Sequence, residues 1–396
     1  MAETETFDYV VVGGGSAGCV MASRLSEDAS KTVCLLEAGL PDKSPFIHVP
    51  LGVLNILSKP KYNWMFYGKP QDELRGNQIY VPRGKTLGGS SSINGMVYIR
   101  GHRGDYDDWA ALGNAGWSFD DVLPYFKKAE NNENLPDDPL HGSGGPLNVM
   151  LRKRVNSVNE TMLKVTDSLQ YKRSSDFNGA DQEGWGYPQL TQKAGRRWST
   201  AKAYLNDQVR ARPNLKVITS APASRVVIED GRAKGVEYRQ DGVTKRVDAR
   251  AEVVLSAGGI VSPKLLMLSG IGDGEWLWQH GIATVHALPG VGKNLQDHFA
   301  AWVQYQTESR IPYGISPLGM PRIAWEFLMY AFTRDGMLAT NIFESMGFIK
   351  TLPDLERPDI QMTFAPAFRG PPGKLLARGH GFLMVPILSG MFGRAC

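Results

Sequence analysis

Cysteine is scarce in this chain. Cys19, Cys34 and Cys396 are the only three among 396 residues, too scattered for a disulfide framework or a zinc site. Such sparse usage predicts buried, reduced thiols at Cys19 and Cys34 and a reducing, cytoplasmic setting. The seven histidines fall at no metal-ligand spacing, so no metal is expected. Charge of one sign is also lacking. The net charge is +4, and no basic run marks a nucleic-acid partner. No apolar run approaches the ~20 residues of a membrane helix. The greasiest helical stretch, IAWEFLMYAF at 323–332, reads as a packed core helix, with a substrate-facing role as the alternative. The opening MAETETFDY is acidic and enters a strand at once, leaving no room for a signal peptide. Internal repeats and low-complexity tracts are absent. What remains, 42% hydrophobic and 21% charged, is ordinary for a globular protein long enough to hold two domains.

Glycine, by contrast, is plentiful and placed. Tyr9 to Val12 are β-branched or aromatic and read as a short buried strand. The run Gly13-Gly14-Gly15-Ser16 follows, then Gly18, in the spacing Gly-x-Gly-x-x-Gly. The first glycine of such a motif permits a tight turn, the second lets a pyrophosphate approach the backbone, and the third lets the next helix pack closely. Ala17 to Ser26 is the expected helix, its free N–H groups aimed at the phosphates. A second strand, Thr32 to Leu36, ends at Glu37, about 20 residues on, where a ribose-binding acid is expected. An acid there disfavours a 2′-phosphate and hence NADP. The bland alternative is an ordinary βαβ unit with a salt-bridged Glu37. The order strand, glycines, helix, strand, acid favours a dinucleotide site.

The segment 216–259 reads as several short strands separated by Asp230-Gly231 and Asp241-Gly242, both strong hairpin turns. Its last strand, Glu252 to Ser256, runs into Ala257, Gly258 and Gly259. A small antiparallel meander before a late parallel strand is a common crossover in flavoproteins and unusual in NAD dehydrogenases, so FAD is favoured over NAD. A second glycine-rich segment, RGKTLGGSSSINGMVYIRG at 83–101, offers close backbone approach at Gly88 and Gly89. Three serines there supply hydroxyl donors, and Asn94 supplies an amide.

These segments carry a resemblance. Gly84 to Asn94, continuing to Tyr98, Gly101 and Asp107, resembles the first signature of the glucose–methanol–choline (GMC) oxidoreductases. GGIVSPKLLMLSGIG at 258–272 is similar to the second, with Gly259 where a small non-glycine residue is usual. LPGVGKNLQDH at 288–298 and GRRWSTAKAYL at 195–205 resemble the choline- and alcohol-dehydrogenase branch. The resemblance implies an α/β fold, α+β overall: a Rossmann-like FAD-binding domain with the β-meander crossover, plus a substrate domain on an antiparallel sheet. FAD-binding residues would come from 1–300, discontinuously as 1–40, 75–118 and 195–300, with 119–194 an interleaved cap. Residues 301–396 would begin the substrate domain, with strands in IFESMGFI, DIQMTF and GFLMVPIL.

By the same resemblance, Gly13, Gly14, Gly15, Ser16 and Gly18 would hold the FAD pyrophosphate and Glu37 the adenosine ribose. Thr86 and Asn94, Gly95, Met96 and Val97 would lie along the pyrophosphate and flavin ring, and Ala223 would give adenine a backbone contact. Ile93 stands where some relatives attach FAD through a histidine, which implies a non-covalent cofactor. The implied reaction is oxidation of a small-molecule alcohol, choline-like or primary, by hydride transfer to flavin, with the electron acceptor unknown. The family's catalytic histidine and its partner belong to a C-terminal segment with no counterpart here, so the chain reads as truncated and its substrate domain as incomplete. His298 is the weak remaining candidate, more readily a structural residue. His102 reads as part of a solvated or interdomain patch, His48 as part of an extended packed or lid-like loop, and His380 as entering a sheet strand. Two alternatives stay open: an FAD-binding fragment without turnover, and an NAD-dependent Rossmann dehydrogenase.

Overall fold

A computed structural model describes residues 4–368 and 378–389; the C-terminal Cys396 lies outside them. Strand β1 (Glu5–Val12) leads through the glycine turn into helix α1 (Ser16–Leu25) and then β2 (Val33–Leu36). Four further strands complete the first sheet: β3 (Leu215–Ile218), β4 (Ala223–Glu229), β5 (Arg232–Gln240) and β6 (Val243–Leu255). Their order is β3-β2-β1-β6-β5-β4. The first four neighbours run parallel, and β6, β5 and β4 form the antiparallel meander.

Alternation along the buried end of β1, Val10–Val12, and along β2 sends their side chains to two covered faces. Val11 and Leu35 pack with Cys19 and Ala22 of α1 on one face. Val10, Val12, Cys34 and Leu36 pack with Val236, Tyr238 and Val247 on the other. Sheets covered on both faces are built from such near-continuous apolar runs. The two hairpin turns adopt positive φ at Asp230 and Gly231 and again at Asp241 and Gly242, which matches the twist of antiparallel strands. Two expectations need correction. Leu215–Ile218 does not belong to the meander; it pairs parallel with β2 at the far edge. The strand expected at 252–256 is the end of a longer β6, because its first half pairs with β5.

Helix α2 (Gly258–Leu268) follows β6. The four main strands of the second sheet are β7 (Val303–Thr307), β8 (Ser345–Ile349), β9 (Ile360–Ala365) and β10 (Gly379–Leu388), and the short strand Gly314–Ile315 also pairs with β10. Their order is β7-β10-β9-β8, with the short strand Gly184–Gly186 on the outer edge of β8. All of these pairings are antiparallel, and His380 lies in β10 as expected, its ring bonded to Ser316 Oγ at 2.9 Å. Buried carboxylates tie the interleaved segment to its surroundings. Glu344 accepts from Arg152, Tyr313, Thr340, Asn159 and the Asn156 N–H. Glu130 pairs with Arg100 at 2.6 Å and with His141 at 2.9 Å.

Helix α3 (Met320–Thr333) contains the stretch read as a packed core helix. It is a helix, but not a core one. Only Glu326 and Tyr330 are buried, while Trp325, Phe327 and Phe332 are 58%, 57% and 86% exposed. Its apolar residues surround the axis, and one stripe alone, one turn apart, docks onto the turn at 337–339.

Candidate active site

The carboxyl ends of β1, β2 and β6 meet at Val12, Leu36 and Leu255, in register. Crevices at such strand ends are the usual ligand seats of open α/β sheets. Here they open into a cavity of about 710 Å³, within the ~300–1,000 Å³ range of small-molecule sites. Gly13, Gly15, Ser16, Glu37 and Ala223 line it.

Each glycine of the turn has its own steric reason. Gly13 holds φ +98°, and a Cβ there would sit 2.7 Å from the Ser256 carbonyl. A Cβ on Gly18 would strike the Gly13 carbonyl at 1.8 Å, so this glycine lets α1 lie against the turn. Gly15 differs. A Cβ there would meet nothing nearer than 3.9 Å, because it points into the open cavity. A bare backbone facing free space is where a bulky anion can approach most closely.

Two helix starts converge on that space. Neither α1 nor α2 has a side-chain cap or an acidic residue in its first turn, and Ser16, Gly258, Gly259 and Ile260 line the cavity. Their first N–H groups have no partner within the helix, and the helix dipoles favour negative charge there. A diphosphate therefore fits this donor set. Gly259 departs from the family signature without cost or need: a Cβ there would meet only Leu295, at 4.0 Å.

Glu37 is 5% exposed. Its Oε2 accepts from the Gly14 N–H at 2.8 Å and its Oε1 from the Gly39 N–H at 2.7 Å. It is not salt-bridged among the described residues. Burial pushes its carboxyl up to about 7, against the pull of those two donors and the Lys85 cation. Each oxygen keeps a lone pair for a hydroxyl donor.

Of the second glycine segment, Arg83, Gly84, Gly89 and Ser90 reach the cavity. The Ser91 hydroxyl donates to the Gly88 carbonyl and the Ser92 hydroxyl to the Leu87 carbonyl, so these serines brace the loop instead of facing a ligand. Thr86 is fully buried and its hydroxyl donates to the Leu40 carbonyl. Asn94, Gly95, Met96 and Val97 do not line the cavity. Asn94 Oδ1 accepts from the Met96 N–H, and Met96 is buried at φ +60°. Ile93 packs with Ile47, Val53 and Ile56.

Sequence reading missed the residue that holds this loop. Arg197, 1% exposed, donates to the carbonyls of Ile47, Ser91 and Asn94 and to Asn94 Oδ1 at 2.7–3.0 Å. No carboxylate pairs with it among the described residues, and burial pushes its guanidinium down to about 9. Trp64 and Phe66, stacked at 5.8 Å, also line the cavity and were not anticipated. Nothing local marks them.

No histidine among the described residues lines the cavity. His298 is exposed, on the loop where Asp297 pairs with Arg83 at 3.3 Å. His102 caps the helix Arg103–Ala111 by accepting from the Gly104 N–H, on the helix whose Asp105 and Asp108 pair with Arg357. His48 ends a one-turn helix, Pro45–His48, where an extended stretch was expected; Pro45 at its start favours the turn. Cys19 and Cys34 are buried free thiols, which burial pushes up to about 12. No helix among the described residues is long and apolar enough to cross a membrane.

Comparison with known proteins gives a consistent result. Residues 7–300 match the family model described as GMC oxidoreductase. The chain is 45% identical over 380 residues to an alcohol dehydrogenase [acceptor] of Pseudomonas putida, covering 96% of this chain and 69% of that protein. It is 42% identical over 377 residues to an oxygen-dependent choline dehydrogenase of Brucella melitensis, covering 95% and 68%. Among solved structures, one concerned with FAD modification in Aspergillus oryzae formate oxidase superposes with a TM-score of 0.85 at 25% identity, covering 98% of this chain and 73% of that one.

Proposed function

Since the chain belongs to the GMC oxidoreductase family, we propose that it binds FAD without a covalent link and oxidises the CH–OH group of a small alcohol to a carbonyl. One observation carries the reading: two uncapped helix starts and the bare Gly15 face a single cavity at the sheet's carboxyl edge. The N–H groups at the head of α1 hold the diphosphate, and the free lone pairs of Glu37 take the ribose hydroxyls. Pro222 and Ala223, which line the same cavity, would border the adenine. Ile93 offers no nucleophile, and its side chain is spent in an apolar cluster. Bound flavin supplies the hydride acceptor. The protein's part is to aim the substrate carbon, exclude water and take up the hydroxyl proton. The buried thiols fit a reducing compartment.

A second reading, a flavin-binding protein without turnover, has one observation in its favour: no histidine among the described residues lines the cavity. Purified protein should be yellow and should release all its flavin on denaturation and filtration; flavin retained on the polypeptide would contradict the non-covalent assignment. Gly15→Val, which fills the approach to the backbone, should retain far less flavin under identical purification. Anaerobic bleaching of the flavin by an alcohol separates the two readings, since only an enzyme bleaches.

A further inference from the structure

A second cavity, of about 470 Å³, lies between the segment 45–55 and α3. Its walls include Phe46, Val49, Leu54, Phe327 and Leu338, and the one polar side chain among the lining residues is Asn55. Volume and composition are those of a small-molecule site, mostly apolar with little to satisfy a charge.

This cavity shares its supports with the Ile93–Val97 run. Val49 packs on the Tyr330, Leu338 and Ala339 cluster. Two residues beyond that cluster, Asn341 donates from Nδ2 to the Gly95 carbonyl at 3.1 Å. On the other side, Ile47 and Val53 share one buried cluster with Ile93, and Arg197 bridges the Ile47 carbonyl to Asn94. The segments that wall the cavity thus also grip the loop to which the resemblance assigns the flavin ring.

Charge decides what could occupy it. A quaternary ammonium group is held by an aromatic cage, strengthened by nearby anions. No carboxylate among the described residues lines the cavity. The neighbouring Glu326 is engaged elsewhere, accepting from the Met337 N–H at 2.8 Å and lying 4.0 Å from Arg154. Of the two aromatic walls, Phe46 already carries the Lys59 ammonium 5.8 Å from its ring centre, which repels a second cation.

Resting on the reading of the chain as a flavin-dependent alcohol oxidoreductase, we propose that this cavity receives the apolar tail of the substrate. The enzyme would then select neutral alcohols bearing an alkyl chain over quaternary ammonium alcohols such as choline. Each methylene buried is worth about fourfold in affinity.

Binding is tested first, because it does not depend on turnover. In the flavin-loaded Leu54→Cys protein, modification at position 54 by iodoacetamide, followed by peptide mass, should slow at least fivefold with 1-octanol. Choline and ethanol at equal concentration should leave it unchanged. No protection by octanol, or equal protection by choline, overturns the proposal. Turnover is tested second. Anaerobic flavin bleaching, as rate over substrate concentration, should rise about three- to fourfold per added carbon from ethanol to 1-hexanol, and Leu54→Trp should flatten that slope. Equal rates with ethanol, hexanol and choline would overturn the tail site and leave the redox reading standing. Protection by octanol with no bleaching by any alcohol would do the reverse.

Discussion

The carboxyl of Glu37 illustrates how one buried side chain can report on a binding site. Its pKa stands at about 7 because burial penalises the charged form more than two backbone donors favour it. A carboxyl raised in the folded state stabilises that state when protonated. The contribution is therefore complete below the unfolded value near 4.5 and is lost as pH rises through about 7. For flavin-free protein, this amounts to on the order of 3 kcal/mol. Urea unfolding at pH 5 and pH 8 should show that loss in the parent chain and not in Glu37→Gln. Ribose hydroxyls donate to the ionised form, so flavin affinity should rise across the same interval and be flat in the variant. An identical pH response in the two proteins would mean that Glu37 is ionised throughout.

Elements act here through their ends more than their lengths. The first turn of α1 has neither cap nor acid, an arrangement that is unfavourable for an isolated helix and favourable for a bound anion. Ser16→Asp should separate these effects. A carboxylate at the helix start stabilises the flavin-free protein by about 0.3–1 kcal/mol, yet repels a diphosphate. A higher melting temperature without flavin, together with a lower flavin content, is the expected pair of results. Unchanged flavin content would remove α1 as the diphosphate seat. The glycine turn, α1 and the two hairpins were legible in the sequence because each depends on contacts within a few residues. The edge strand Leu215–Ile218 was not, since its partner β2 lies about 180 residues earlier.

Across the whole molecule, buried ion pairs join segments distant in sequence. Glu344 precedes β8, while Arg152, Asn156 and Asn159 come from the interleaved segment. Arg152 and Glu344 side chains are 6% and 0% exposed. Removing the carboxylate in Glu344→Ala strands a buried guanidinium, and breaking such a pair costs about 3–5 kcal/mol. Glu237→Ala breaks the exposed Arg225 pair on the meander, where the arginine is 56% exposed, and should cost about 0–1 kcal/mol. Denaturant midpoints of the two variants check the contrast. Similar shifts would show that Glu344 does not bind the interleaved segment to the second sheet.

By itself the sequence determined the cofactor's class and the strand–turn–helix that faces it. Steric need dictates those glycines locally: Gly13 and Gly18 have no room for a Cβ, and Gly15 is bare where the cavity opens. The family signatures extended that reading to two sheets. Only tertiary structure decided that Ser91 and Ser92 brace their own loop, that Arg197 staples it to Ile47, and that α3 leaves most of its apolar surface uncovered beside the second cavity. Each of these depends on which distant segments meet, and hydrophobic burial and hydrogen-bond satisfaction settle that only once the whole chain has packed.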